Sequence, residues 1–219
     1  RKMYGVKLKI WGDYACFTRP EMKVERVSYH VPTPSAIRGI LEAIYWKPEI
    51  KWVVDKIHIL KPLKFTNIRR NELGCKISTQ NVKTAMKNGY ANLSIFVEDE
   101  RQQRAAMILK DVAYAVEAHF EITGGEKNDG KHLDQFNRRA EKGKCFHQPV
   151  LGCREFPAHF ELIKGEIPKA IDETKELSWM LYDLEFSKDI SNPIPIFFFV
   201  KMEKGVIDVQ KCLHDSERR

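Results

Sequence analysis

The chain has no long apolar run: its longest uninterrupted stretch, around Ile196–Val200, falls far short of the roughly 20 residues that a membrane-crossing helix needs. An apolar block at the start is missing too, because Arg1–Trp11 alternates lysines with apolar residues. No leader and no membrane partner are therefore expected, and the protein is read as soluble and cytoplasmic. Cysteine is sparse and odd in number, and Cys16, Cys75, Cys145, Cys153 and Cys212 contain no C-x-x-C pair. That pattern argues against a disulfide framework and a zinc knuckle, so neither metal nor cofactor is expected. Repeats and low-complexity tracts are absent, which sets aside solenoids and propellers.

What the sequence does hold is a core. Of 219 residues, 43% are hydrophobic and 31% charged, the balance of a folded domain with at most a small appendage. Lys and Arg number 37 against 30 Asp and Glu, for a net charge of +7, which favours a polyanionic partner such as nucleic acid. The excess is concentrated in Lys127–Arg154, where basic residues outnumber acidic ones seven to three.

Periodicity gives the order of elements. Tyr4, Val6, Leu8 and Ile10 alternate with lysines as in a half-buried strand, and a long polar loop is expected from Gly12 to about Val31. Thr33 reads as an N-cap with Pro34 at the first helical position, and Ile37, Ile40, Leu41 and Ile44 recur at helical spacing until Lys47-Pro48. Trp52–Leu60 is a second strand by its β-branched and aromatic content. Lys61–Glu100 shows only turn signals, at Asn71–Gly74 and Lys87–Gly89. Arg104–Glu121 is rich in alanine, yet Val112, Tyr114, Val116, Ala118 and Phe120 alternate, which predicts one long strand. A helix over Lys131–Lys144 follows, with Leu133, Phe136 and Ala140 as its apolar stripe, and then a strand within Phe146–Ile163. Strand, helix, strand, strand, helix, strand is the ferredoxin-like, RRM-like pattern. The expected architecture is an α+β ferredoxin-like domain over residues 1–163, with a small C-terminal β-sheet extension over 164–219. In that extension Trp179–Phe186 is a strand and Pro195–Val209 a hairpin turning near Glu203-Lys204-Gly205.

The second helix breaks a local rule. Lys131 and His132 stand where a helix start favours acids, an arrangement that makes sense if an external phosphate completes the site. Lys131, Arg138 and Lys142 project away from the apolar stripe, and His132 and Arg139 share its flank. The same residues are also compatible with an ordinary solvated helix face. Tyr45, at the edge of the first helix's stripe and near Arg38, reads either as a core lid or as a phenol with its hydroxyl in solvent. Trp46 projects away from that stripe. Together tyrosine, histidine and lysine suit RNA cleavage in which the 2′-hydroxyl attacks its own phosphate, a route that requires no metal and spares DNA. A generic RRM-type binder is disfavoured, because the exposed sheet face carries Glu117, His119 and Glu121 in place of aromatics.

Several motifs in order complete the reading: Gly12-Asp13-Tyr14-Ala15-Cys16-Phe17-Thr18, Tyr29-His30-Val31-Pro32-Thr33, and Gly39–Pro48. Lys110-Asp111-Val112, Ala118-His119-Phe120, Gly130-Lys131-His132 and Leu151-Gly152-Cys153-Arg154-Glu155 follow. This set resembles the Dvulg (type I-C) subtype of the Cas-five family of CRISPR-associated proteins. The resemblance implies a RAMP-superfamily endoribonuclease that processes precursor CRISPR RNA at the base of the repeat hairpin, without metal, leaving a 2′,3′-cyclic phosphate and a 5′-hydroxyl. It further implies that the subunit stays on the 5′ handle within the Cascade complex of antiviral defence. The alternative is a non-catalytic scaffold that only caps the handle. The family's catalytic residues correspond to Tyr45, Lys131 and His132, and Arg38, Lys47, Arg138, Arg139, Lys142 and Arg154 are the expected RNA-binding residues. Expected partners are the repeat or guide RNA, the backbone and large subunits of the complex, and double-stranded DNA.

Overall fold

Alternation along the first strand fixes which side of the sheet is buried. A computed structural model describes residues 5–22, 24–90, 93–124, 128–186 and 191–218. β1 (Gly5–Ala15) buries Val6, Leu8 and Ile10 on one face, while Tyr4 of the same alternating run lies outside the described residues. The loop expected from Gly12 to about Val31 starts later than read and is partly buried. β1 continues to Ala15, opposite Leu109, and Cys16, Phe17, Tyr29 and Val31 are all buried around the short β2 (Arg26–Val27). The polar residues at 19–26 had masked those apolar anchors.

α1 (Pro34–Ile44) starts as read: the Thr33 hydroxyl accepts from the Ala36 N–H at 3.2 Å, and Pro34 occupies the first turn, where its missing N–H costs nothing. It ends at Ile44, before Lys47-Pro48, because Tyr45 turns to extended geometry with φ −152° and ψ 118°. β3 (Ile50–Ile59) and β4 (Phe65–Leu73) follow, then α2 (Thr79–Asn88) and α3 (Val97–Glu100). The long alternating run is a single strand, β5 (Arg101–Ile122), as the periodicity predicts over the pull of its alanines. After α4 (Asp129–Glu141), β6 is only His159–Leu162. Residues 146–158 are bends and turns around one isolated bridge, Val150 to Pro157; Pro149 and Pro157 have no N–H to extend it into a ladder, and Gly152 takes φ +87°. A side chain at Gly152 would run into the Cys16 carbonyl, its Cβ only 2.0 Å from that oxygen.

The main sheet is antiparallel in the order β6-β1-β5-β3, and β2 and β4 also pair with β5. α1 and α4 cover the face that carries Trp52 and Phe120. The Phe136 ring of α4 lies 4.9 Å from Trp52, and Trp52 in turn meets Phe120 edge-on at 5.4 Å. Burying each of these rings stabilises the fold by roughly 1.5–3 kcal/mol.

The C-terminal part is a hairpin of β7 (Lys175–Glu185) and β8 (Ile194–Met202). The turn at Lys204 and Gly205, both with positive φ, lies where the sequence indicates. It leads into β9 (Val206–Asp208), which joins the main sheet beside β3, and not into a long second hairpin arm. The chain then enters an unpredicted helix, α5 (Val209–Ser216), capped by Asp208 accepting from the Lys211 N–H.

Two compact units are present. One holds the chain up to Thr66 and from Met107 on; the other is Asn67–Ala106. Within the second, Gly74 donates to the Glu100 carbonyl at 2.7 Å, Arg104 pairs with Glu72 at 3.5 Å, and α2 buries no residue. No helix among the described residues is long and apolar enough to cross a membrane.

Candidate active site

Tyr45 is held at both backbone ends. Its N–H donates to the Leu41 carbonyl at 2.9 Å, closing α1, and its own carbonyl accepts from the Trp52 indole N–H at 2.9 Å. With the backbone extended at this cap, the phenol swings toward α4. There His132 is 4% exposed and shares the inner face of α4 with Phe136 and Ala140. The apolar stripe is therefore His132, Phe136 and Ala140, with Leu133 only half-buried, which rotates the helix from the orientation inferred with Leu133 at its centre. Phe120 meets the imidazole edge-on at 5.9 Å. The Tyr45 hydroxyl lies 2.9 Å from His132 Nδ1.

Tyr45, His132, Lys47, Lys131, Arg139 and Phe146 line one recess, with Glu49 at its side. Lys131 and Lys47 are exposed at its rim. The Arg139 Nε–H donates to the Ile44 carbonyl at 2.6 Å, which accepts at the C-terminal end of α1 and brings the guanidinium over the Phe146 ring, 4.4 Å from its centre. Burial first, and then the Glu49 carboxylate, raise the Tyr45 phenol above its ordinary value, against the opposing pull of Arg139. Tyr45 therefore keeps its proton at neutral pH and meets His132 as a neutral hydroxyl.

The rule-breaking helix start is resolved differently from the sequence reading. α4 begins at Asp129, two residues before Lys131, so an acid does stand in the first turn, and Asn128 Oδ1 accepts from the Lys131 N–H at 3.1 Å. The backbone amides there are partly satisfied by the chain itself. What marks the place is the lysine and histidine side chains beside Tyr45.

Residues 5–210 match the Cas_Cas5d family, described as CRISPR-associated protein (Cas_Cas5). The chain belongs to the Cas5d family. It is 55% identical to the CRISPR pre-crRNA endoribonuclease Cas5d of Mannheimia succiniciproducens, over 98% of each chain. It is also 42% identical to the protein of the same name from Thermus thermophilus, over 94% of this chain and 92% of that one. Among solved structures, a CRISPR-associated protein superposes with a TM-score of 0.69 at 23% identity, covering 97% of both chains. A chain of a CRISPR RNA-guided surveillance complex superposes with a TM-score of 0.55 at 15% identity, covering 99% of this chain and 100% of that one. Both of these likenesses are of fold.

The remaining candidates on this Cas5d chain do not gather at the recess. Arg38 points to the C-terminal hairpin, with Nη1 and Nη2 both on the Asp183 carboxylate, the second at 2.7 Å, and Nε 3.6 Å from Glu42. It is not among the residues that line the recess with Tyr45. Arg138 is exposed and donates to Gln135 Oε1 at 2.9 Å. Lys142 lines a separate shallow groove with Lys9, Glu141 and Lys164. Arg154 is exposed in the turn after Gly152. Glu49, Asn128, Gln135 and Phe146 line the recess without any signal in the sequence that marks them for it. Phe146 sits in a segment read as strand, and nothing in its spacing sets it apart from a core aromatic.

Proposed function

We propose that this chain is an endoribonuclease that cuts precursor CRISPR RNA at the base of the repeat hairpin, with His132, Tyr45 and Lys131 as its catalytic group. The observation that carries the reading is the 2.9 Å contact between the Tyr45 hydroxyl and His132 Nδ1 inside a recess rimmed by Lys131, Lys47 and Arg139. With Nδ1 engaged by Tyr45, Nε2 is the nitrogen left for proton transfer. The RNA 2′-hydroxyl gives up its proton, its oxygen attacks the adjacent phosphorus, and the bond to the 5′-oxygen breaks. The products are a 2′,3′-cyclic phosphate and, once the leaving oxygen is protonated, a 5′-hydroxyl. His132 moves a proton, Tyr45 orients the imidazole and the scissile phosphate, and Lys131 offsets the charge of the phosphorane. No step calls for a metal ion.

Lys47 and Arg139 hold the RNA backbone at the recess, and Arg138, Lys142 and Arg154 extend the basic surface away from it. The strand order β6-β1-β5-β3, with α1 and α4 on one face, supports a ferredoxin-like arrangement of residues 1–163, to which 164–219 add the extension. The product stays on this subunit as the 5′ handle, within a cytoplasmic surveillance complex that also contains the backbone and large subunits and engages double-stranded DNA. The name shared by the relatives from Mannheimia succiniciproducens and Thermus thermophilus supports the enzyme over a purely structural cap.

The deciding experiment incubates a repeat-hairpin RNA with the protein in EDTA, beside the same RNA bearing one 2′-deoxy sugar at the scissile nucleotide. Cutting of the first alone is the expected result. Binding of both with cutting of neither makes the chain a scaffold.

A further inference from the structure

We propose that Phe146, backed by Arg139, is a stacking shelf that seats a nucleobase of the RNA beside the bond to be cut. The inference rests on the endoribonuclease reading and goes beyond its three catalytic groups. Phe146 is 67% exposed, although it lines the recess that holds Tyr45 and His132. An exposed aromatic is ordinary where its side chain is free to turn. Phe146 is instead pinned twice. Its N–H donates to the Ala43 carbonyl at 2.8 Å, tying the backbone to the last turn of α1. The Arg139 guanidinium lies 4.4 Å from the ring centre and is itself aimed by its bond to the Ile44 carbonyl. Two consecutive carbonyls at the end of α1 thus hold the backbone that carries the ring and the cation that backs it, next to Tyr45.

The chemistry of this arrangement selects its occupant. A cation on a phenyl ring is attracted to the π face and holds the ring in place. A nucleobase, being flat and polarisable, completes a sandwich on such a ring whatever its sequence. The phosphate attached to that base then lies within a rim of Lys47, Lys131 and Arg139. Trp46 and Phe186 are about half exposed as well, but neither lines the recess, so exposure alone does not mark the shelf. Phe146 thereby sets which nucleotide lies over His132, and it does so by position, not by reading a base edge.

The test measures dissociation constants for a repeat hairpin made uncleavable by 2′-deoxy sugars throughout the cleavage window, with single abasic sites stepped through that window. Phe146→Ala is expected to weaken binding about 10-fold, Phe146→Leu nearly as much, and Phe146→Trp hardly at all. One abasic position is expected to weaken wild-type binding by the same factor and to cost nothing further in Phe146→Ala. Melting temperatures report folding, and Phe146→Leu keeps apolar bulk if the alanine variant proves unstable. Multiplicative penalties at every position, or alanine and leucine variants that both bind within twofold of wild type, overturn the shelf. Wild-type cleavage of the all-ribose hairpin is scored separately. Its failure removes the endoribonuclease reading, while the coupling between Phe146 and one base still decides the shelf.

Discussion

The Tyr45 hydroxyl and His132 Nδ1, 2.9 Å apart, join the last residue capping α1 to the first turns of α4 across 87 positions of sequence. Neither side chain is placed by its own element alone. Tyr45 is aimed by an extended cap whose carbonyl accepts from Trp52, and His132 is turned inward by the register it shares with Phe136 and Ala140. An imidazole held on one side by a neutral phenol and on the other by the edge of Phe120 has a fixed plane. Fixing that plane is what a proton-transfer group requires before substrate arrives.

Replacing His132 with Ala is expected to slow single-turnover cleavage by about 10²–10⁴-fold, the usual contribution of a positioned acid or base, while RNA affinity stays within a few-fold of wild type. Tyr45→Phe keeps the ring and loses the hydroxyl, with its contact to Nδ1 and its hold on the scissile phosphate. It should cost less, about 10-fold in the cleavage step, because the imidazole remains but is no longer held. Quench-flow rates at saturating protein and filter-binding constants separate the two effects. Equal loss of binding and rate would make both residues part of an RNA-binding surface only.

Lys131 is exposed, so its side chain can be removed without opening the core. Lys131→Ala is expected to lower the cleavage rate about 100-fold with an unchanged melting temperature, and Lys131→Arg to restore part of it through its charge. A Lys131→Ala protein that cuts at the wild-type rate at saturation would reduce this residue to one backbone contact among several. It would then show only as a shallower dependence of affinity on salt.

Local chemistry made the first helix and the long strand legible. Thr33 and Pro34 announce the start of α1 through a cap and a missing donor that act within four residues. In β5 the alternation of Val112, Tyr114, Val116 and Ala118 outweighs alanine's preference for helix because every one of them is buried. Tyr45, Lys131 and His132 could be nominated from sequence, but the contact of Tyr45 with His132 could not, since it depends on a cap angle and on a one-residue rotation of α4. Leu133 looks like the centre of a stripe by hydropathy, yet His132 takes that place because Tyr45 supplies the partner a buried imidazole needs. The segment 67–106 resisted reading for a different reason. Its helix α2 buries nothing, so the periodicity that marks a core-facing helix is not demanded of it.

Arg38, placed by sequence among the RNA contacts, is expected to act on stability. Its two-pronged bond to Asp183 ties α1 to β7, with side chains 27% and 19% exposed. Arg38→Ala should destabilise the fold by about 2 kcal/mol, as expected for hydrogen bonds to a charged, partly buried partner. Burial alone would raise the Asp183 carboxyl, but the Arg38 hydrogen bonds and charge and the Leu184 N–H outweigh it and hold the group below the ordinary aspartate value. A carboxyl depressed in the folded state contributes stability that is fully present above its unfolded value and disappears as the pH falls through the folded one. The difference in urea midpoint between wild type and Asp183→Asn should therefore be constant from neutral pH down to about pH 5 and narrow below about pH 4. A gap that stays constant into acid would mean that the pair contributes through shape and not through charge.

Tyr114 is the counterexample, a polar group that the core would be better without. It is 1% exposed at the centre of β5, opposite Ile10 on one side and Ile59 on the other, with its ring edge-on to Phe17 at 6.2 Å. Among the described residues its hydroxyl finds no hydrogen-bond partner. Burial drives the phenol far above its ordinary value, so the group is a neutral hydroxyl shielded from bulk solvent. Tyr114→Phe keeps the ring, its packing and its edge contact while removing the one atom whose desolvation is uncompensated. The expected outcome is a protein more stable by about 1 kcal/mol, read as a higher urea midpoint with an unchanged slope, and with RNA cleavage unaltered. The loss of one oxygen leaves a void smaller than a methyl group, which takes back only part of that gain. A variant less stable than wild type would show instead that an ordered water satisfies the hydroxyl, placing a buried hydration site at the middle of the sheet.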